Sequence, residues 1–428
     1  PYFHLPLLSQ IYAALFRVAP NLLLTARTVS VVGAWLTLGL LLMVGFRLLN
    51  RQPDWLRLLH GATGAVLLAA TPLFVYTSGR AWNHDLPLLL ALLAAVLLLD
   101  AVGAPGDDSR PVRSVFIGLL LGLAVSLRAS FVLLAPAFLA GLWWGTTGPT
   151  RARLHALAWL IAGGLLGALP SLVLLVRAPQ EFVFGNLTYV QLNTRYYAAQ
   201  GAAYPGMTLA GKLELAMQLL NAGPANALPL LLFGGMALWV WPRAAIAKRR
   251  QLITLALLSG AALLSALAAT PAQTQYFYLL LPLGVLGALY ATPMLPLGRQ
   301  RLGVLLIAVG ALLALLLTGR SYGPGLAVVA DPDAWYPRKV HARGELIADL
   351  VAQPAPVLTL APTHVLEGGL PIYPAFATGP FAWRVADLVE PARRAALSLI
   401  GPADLPALLT EAPRAVLTGL DNDDVEEE

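Results

Sequence analysis

Ten apolar stretches lie between Asn21 and Arg320: Leu22–Phe46, Leu58–Thr77, Leu86–Val102, Ser114–Leu127, Phe131–Thr146, Ala156–Val176, Ala227–Trp241, Gln251–Ala269, Tyr276–Pro293 and Leu302–Thr318. A helix needs about 20 apolar residues to cross a bilayer core. Backbone polar groups in that core must be satisfied within the segment, so this pattern predicts a multi-pass bundle of α-helices. Several stretches are short, which implies tilt, breaks or snorkelling flanks. Only 12% of the 428 residues are charged, against about 25% in a soluble domain. The net charge of +6 is no nucleic-acid signal, because the basic residues fall in the loops of a membrane protein. Membrane lipids are an expected partner and nucleic acid is not.

The loops also carry an orientation. Arg47, Arg51, Arg57, Arg110, Arg113, Arg151, Arg153, Arg243, Lys248, Arg249, Arg250, Arg299 and Arg301 fill every second gap between stretches. The alternate gaps hold only Arg80, Arg128, Arg177, Arg195 and Lys212. Short basic loops stay in the cytoplasm, so the second set is expected outside. Read as one helix, Ser114–Thr146 would be about 50 Å long, too long for a core of about 30 Å. Two segments with a turn at Arg128-Ala129-Ser130 fit better and keep Lys248-Arg249-Arg250 inside.

The rest of the chain falls into place around that bundle. Residues 1–319 read as the transmembrane domain. Within it, 1–20 carries a helix on the outer membrane surface, with Leu5, Leu8, Ile11, Tyr12, Leu15 and Phe16 at helical spacing. Residues 177–229 form a long outer loop. Residues 320–428 alternate short apolar strands (Val357–Leu360, Ala415–Leu417) with helical segments (Arg338–Val351, Leu405–Thr410), which predicts a small extracytoplasmic α/β domain. There is no cysteine, which excludes disulfides and thiolate chemistry. An outside domain without disulfides is ordinary in bacteria, so the expected location is the inner (plasma) membrane. The chain opens on Pro1 and ends in the acidic run Asp421–Glu428 just after an apparent strand. It reads as a fragment, with the α/β domain incomplete.

Ionisable groups at membrane depth or at its rim are costly and mark functional sites. The densest cluster is Arg80-Ala81-Trp82-Asn83-His84-Asp85. Asp85 opens an apolar helix, where it is either an active-site carboxylate or a cap stabilised by the helix dipole. Arg128 is either a snorkelling turn residue or a phosphate contact, since guanidinium binds phosphate oxygens bidentately. Arg195, beside Tyr196 and Tyr197, is either a solvated loop residue or a head-group contact. Tyr276 and Tyr278 sit where an aromatic belt also places tyrosine. His4 stands alone at the start of the surface helix. Asp85 with His84 offers two adjacent ligands for a divalent ion, too few to assign a metal site. No P-loop, GxSxG, HExxH or dinucleotide fingerprint is present.

Four segments together resemble the GT-C superfamily of integral-membrane glycosyltransferases. More narrowly, the chain resembles the bacterial branch related to dolichyl-phosphate-mannose protein mannosyltransferases and the lipid A aminoarabinose transferase. Tyr2-Phe3-His4-Leu5-Pro6-Leu7-Leu8 is similar to the family's Y-x-H-x-P-L segment, and Asn83-His84-Asp85-Leu86-Pro87-Leu88-Leu89 to its N-D-P-x-L span start. Gly118–Pro136, with Arg128, is similar to a G-L-x-G-L-A span pair, and Gln275–Pro282 to an x-x-Y-F-L-x-x-x-P span opening. The likeness covers roughly residues 1–320. It implies transfer of a sugar from a polyprenyl-phosphate carrier to a lipid, glycan or protein acceptor on the outer face, with inversion. By the resemblance Asp85 is the second acidic position, and the main catalytic base precedes Pro1. By the same likeness Arg128 and Tyr276 or Tyr278 would be carrier-phosphate contacts, and His4, Arg80, His84 and Arg195 complete the substrate-binding candidates. Two other classes stay open: a non-catalytic GT-C-like scaffold subunit, and a transporter of lipid-linked substrate.

Overall fold

The computed structural model describes residues 5–103, 111–199, 206–351, 355–409 and 413–418, and it is 80% helical. Among the described residues six helices are long and apolar enough to cross a membrane: Leu22–Leu48, Asp85–Gly103, Pro224–Arg243, Ile246–Ala268, Thr274–Met294 and Leu297–Gly319. A bent pair, Thr150–Gly167 with Leu169–Arg177, makes seven if it is one span. The chain is a helical multi-pass membrane protein.

Ten such helices are not present among the described residues. The stretch Leu58–Thr77 breaks into Asp54–Ala69 and Pro72–Thr77, because Pro72 has no N–H for the ladder and its ring clashes with the carbonyl four residues back. Helix Pro111–Leu127 has 17 residues. Arg128 is extended (φ −153°, ψ 111°), and a 3-10 turn, Ala129–Leu134, leads into the 11-residue helix Ala135–Gly145. The expected turn at Arg128 is there, but neither arm is long enough to cross by itself.

The chain forms two compact units. One comprises Val29–Pro170 and Pro205–Gly323. Its core holds Asp85–Gly103, whose Leu and Ala run favours helix strongly. Pro87 is tolerated there because first-turn amides have no intrahelical partner. Leu280–Ala291 is buried at every position but its first. Apolar contacts leave such helices free to slide or turn. Two directional bonds remove that freedom: the Tyr278 hydroxyl donates to Asp85 Oδ1 (3.1 Å) and the Tyr290 hydroxyl to Asp100 Oδ1 (2.9 Å). Arg47 pairs with Asp100 at 2.7 Å. Pro111–Leu127 and Thr150–Gly167 meet backbone to backbone through Gly118, Gly122, Gly163 and Gly167. A Cβ on Gly118 would run into the Leu160 carbonyl oxygen, and one on Gly163 into that of Val115. Small residues that allow such approach replace the missing hydrophobic drive between helices in lipid.

The other unit comprises Pro1–Thr28, Ser171–Tyr204 and Pro324–Glu428. Helix Pro6–Leu15 lies where the surface helix is expected. Residues 177–199, expected as outer loop, are largely helical, through Pro179–Val183, a π-turn at Phe184–Thr188 and Tyr189–Ala199. Phe184, Tyr189 and Leu192 pack with Ala382, Val385, Val389, Leu397 and Leu399. Helix Tyr336–Leu350 precedes strand Val357–Thr359, which pairs in parallel with Ala415–Leu417, Val357 opposite Ala415. The α/β domain expected here is not seen. Among the described residues the sheet has two three-residue strands and one isolated bridge from Val357 to Ile372. Two short strands cannot form a layer that stands by itself. A buried carboxylate, Glu367, ties the unit together: it accepts from the Leu23 amide at the start of Leu22–Leu48 and bonds His341 Nδ1 at 2.9 Å.

Gly118→Ala is expected to lower stability by about 1–3 kcal/mol, since overpacking forces backbone shifts. The check is thermal unfolding of the detergent-purified protein, with Gly234→Ala as control, a position where an added Cβ meets nothing within 4 Å.

Candidate functional site

The polar cluster sits where helix Pro72–Thr77 ends and Asp85–Gly103 begins. Gly79 turns the chain with φ +75°, a conformation glycine adopts without penalty. That turn aims the Gly79 amide at Asp85, whose Oδ2 accepts it at 3.0 Å while Oδ1 takes the Tyr278 hydroxyl. Asp85 is 1% exposed. Of its two readings, the cap is not geometrically simple. The His84 carbonyl accepts the first intrahelical bond, from Leu88, so His84 occupies the cap position. Asp85 is the first helical residue, and its carboxylate closes the preceding loop onto a neighbouring helix.

The helix break at Arg128 delivers a guanidinium to the same place. Nη1 donates to Asn83 Oδ1 (3.1 Å) and faces His84 Nε2, and Nε donates to Ser130 Oγ (3.1 Å). A guanidinium can only donate, so the His84 nitrogen facing it is the acceptor. The Arg128 Cζ lies 4.8 Å from the centre of the Tyr276 ring, and that ring stacks on His84 at 6.4 Å. His84 in turn packs on Trp82 (5.6 Å), and Trp82 on Tyr76 (5.7 Å). Arg80 covers both Tyr76 (4.6 Å) and Trp82 (4.9 Å), and its Nε donates to the Tyr76 carbonyl at 2.7 Å. Two cations and four aromatic rings thus form one continuous ladder.

Among the described residues neither Arg80 nor Arg128 pairs with a carboxylate. Asp85, the nearest acid in sequence, is taken up by Gly79 and Tyr278. The remaining guanidinium nitrogens of both arginines and the amide nitrogen of Asn83 make no hydrogen bond within the described residues. These are donors without acceptors, backed by rings that hold the cations in place. Such a group binds an anion, phosphate above all.

The structure therefore gathers Arg80, His84, Asp85, Arg128, Tyr276 and Tyr278. Arg195 belongs to the other unit, where it is exposed on helix Tyr189–Ala199. Its neighbours Tyr196 and Tyr197 lie against Arg384, whose Nη1 donates to the Tyr197 hydroxyl at 2.7 Å. His4 lies outside the described residues. His84 and Asp85 do not converge on a metal: one faces a guanidinium and the other a hydroxyl and an amide. No group of three or more His, Asp or Glu suited to a metal occurs among the described residues.

Trp82 and Asn83 belong to the cluster singled out in the sequence, though without an assigned role; Ser130, Gly79 and the Tyr76 ring were not expected at the site. Gly79 just before a cluster of charges was the available signal. Ser130 and Asn83 join through the break at Arg128; the sequence places the break, but not the contact it makes 45 positions earlier in the chain. No protein-family model, no curated protein and no solved structure matches the chain.

Asp85→Ala leaves the Gly79 amide and the Tyr278 hydroxyl buried without an acceptor, at a cost of about 1–3 kcal/mol for each group. Asp85→Asn keeps an oxygen for the amide and offers an N–H to the hydroxyl. Unfolding temperatures of the two variants should therefore separate clearly, with Asn close to the native protein.

Proposed function

We propose that the chain belongs to a polyprenyl-phosphate-sugar-dependent glycosyltransferase of the plasma membrane, acting on the outer face. One observation carries the reading: two guanidiniums without carboxylate partners, Arg80 and Arg128, stand at one end of buried apolar helices beside Asn83, His84 and Tyr276. A lipid-linked sugar phosphate needs this combination of apolar surface for its tail and fixed cations for its phosphate. The resemblance of four segments to the GT-C superfamily points the same way. The sparse basic residues in the gaps holding Arg80 and Arg128 favour the outer face for this end.

In this reading the bond between the sugar's anomeric carbon and the phosphate oxygen breaks, and its electron pair stays on the phosphate. Arg128 and Arg80 stabilise the charge that develops there. The acceptor hydroxyl attacks the opposite face of the anomeric carbon, which inverts it, and loses its proton to a carboxylate. By the resemblance that base lies in a segment preceding Pro1. Asp85 is the organiser: through Gly79 it fixes the loop that presents Arg80 and Asn83, and through Tyr278 it fixes the neighbouring helix. Arrival of the sugar already activated on lipid is consistent with the lack of any nucleotide-binding motif.

The test uses membranes from cells producing the complete protein, supplied with radiolabelled hexoses and pentoses on polyprenyl phosphate. Arg128→Ala should cut transfer about 100-fold, the scale of losing one preorganised donor to a developing oxyanion. Arg128→Lys should recover part of it, keeping the charge but not the fork. Equal transfer by Arg128→Ala and native protein would remove the site assignment. Carrier binding without any transfer by the native protein would replace the enzyme with a non-catalytic scaffold of the same fold. Carrier movement without a new glycosidic bond would replace it with a transporter.

A further inference from the structure

A second cationic cluster lies in the same unit, at the other end of helix Asp85–Gly103. Val102 packs there against Gly145, the last residue of helix Ala135–Gly145, and Gln251 Nε2 donates to the Leu99 carbonyl at 2.6 Å. Two adjacent tryptophans, Trp143 and Trp144, end the helix Ala135–Gly145. Arg153, in the first turn of Thr150–Gly167, sets its Cζ 5.4 Å from the Trp143 ring centre. Arg250, in the first turns of Ile246–Ala268, donates from Nη1 to the Trp144 carbonyl at 2.8 Å. Arg249 lies beside it, 5.6 Å from the Trp241 ring centre, and bonds the Trp241 and Pro242 carbonyls.

Part of this is ordinary helix termination. Arginine near a helix C-terminus satisfies the last carbonyls and complements the dipole, which accounts for Arg249 and for one nitrogen of Arg250. It does not account for Arg153. Its Nε is buried without a hydrogen-bond partner, it caps no carbonyl, and among the described residues no carboxylate pairs with it or with Arg250. A buried N–H donor left empty is costly unless an acceptor completes it. The place is set by the chain: Trp241 ends one candidate span and Arg250 begins the next, so both lie at the level of lipid headgroups, where tryptophan belts gather.

We propose that Arg153 and Arg250, flanking Trp143-Trp144, form a binding site for the phosphate of an acidic phospholipid. The guanidiniums supply paired donors to phosphate oxygens, and the tryptophans bridge headgroup and acyl chain. Basic pockets between membrane helices bind anionic headgroups in this way. The inference uses neither the Arg128 site nor the transferase reading, and it holds if that reading fails.

The experiment is native mass spectrometry of the full-length protein, released from nanodiscs of phosphatidylglycerol and phosphatidylcholine in equal amounts. The native protein should retain phosphatidylglycerol in preference to phosphatidylcholine. Arg153→Gln should still fold, since among the described residues the Arg153 side chain makes no hydrogen bond and gives up only its contact with the Trp143 ring, and should lose about tenfold in retained phosphatidylglycerol, the effect of one charge-assisted bond. The neighbouring Arg151→Gln, exposed on the same turn, should behave as native. Equal retention by Arg153→Gln and native protein overturns the site. So does full displacement of the lipid by millimolar inorganic phosphate, which would mark a site for the free anion.

Discussion

The bundle depends on two tyrosine–carboxylate bonds. In a bilayer, apolar helices gain little by choosing one apolar neighbour over another, so a core of Leu and Ala specifies no register. Asp85 and Asp100 stand near the two ends of one buried helix, and Tyr278 and Tyr290 near the two ends of another. A carboxylate left without donors there would be very costly, so the four groups admit only one alignment. The first bond also sets the polar cluster: with Asp85 fixed, the amide of Gly79 is fixed, and with it the loop carrying Arg80, Trp82 and Asn83. The ladder of rings then reaches Arg128 by contact alone.

What the amino-acid sequence reveals follows from range. Runs of Leu and Ala announce helices because propensity and hydropathy are local, and the segments Arg338–Val351, Val357–Leu360 and Ala415–Leu417 are found within a residue or two of their expected positions. Length is less legible. The pair Thr71-Pro72 interrupts a run that hydropathy reads as continuous, and the helices on either side of Arg128 are too short to cross, so among the described residues six or seven helices of spanning length stand where ten runs are read. The six-residue cluster from Arg80 to Asp85 is visible because its members are adjacent. The bond from Tyr278 to Asp85, 193 positions away, leaves no trace in either neighbourhood. Arg384 was missed for the same reason: its tyrosine partners lie 187 positions earlier.

The two ends of helix Asp85–Gly103 differ in how their cations are used. At the far end Arg47 pairs with Asp100, and Arg249 and Arg250 cap carbonyls. At the near end the acid is withdrawn into a hydroxyl and an amide, and the arginines rest on aromatic faces. A ring holds a guanidinium in place without neutralising it. The near end therefore keeps a positive field at Arg80 and Arg128, while at the far end Asp100 neutralises Arg47, and Arg153 keeps an unfilled donor.

Glu367 has a consequence for how the protein is made. It supplies the acceptor for an amide at the very start of Leu22–Leu48, yet it lies 344 residues further along the chain. During synthesis that helix enters the membrane with its first turn bare, and water or lipid headgroups must serve in the interval. Only when the ribosome has passed residue 367 can helix Leu22–Leu48 receive that carboxylate. The first turn of Leu22–Leu48 thus waits on a segment made much later.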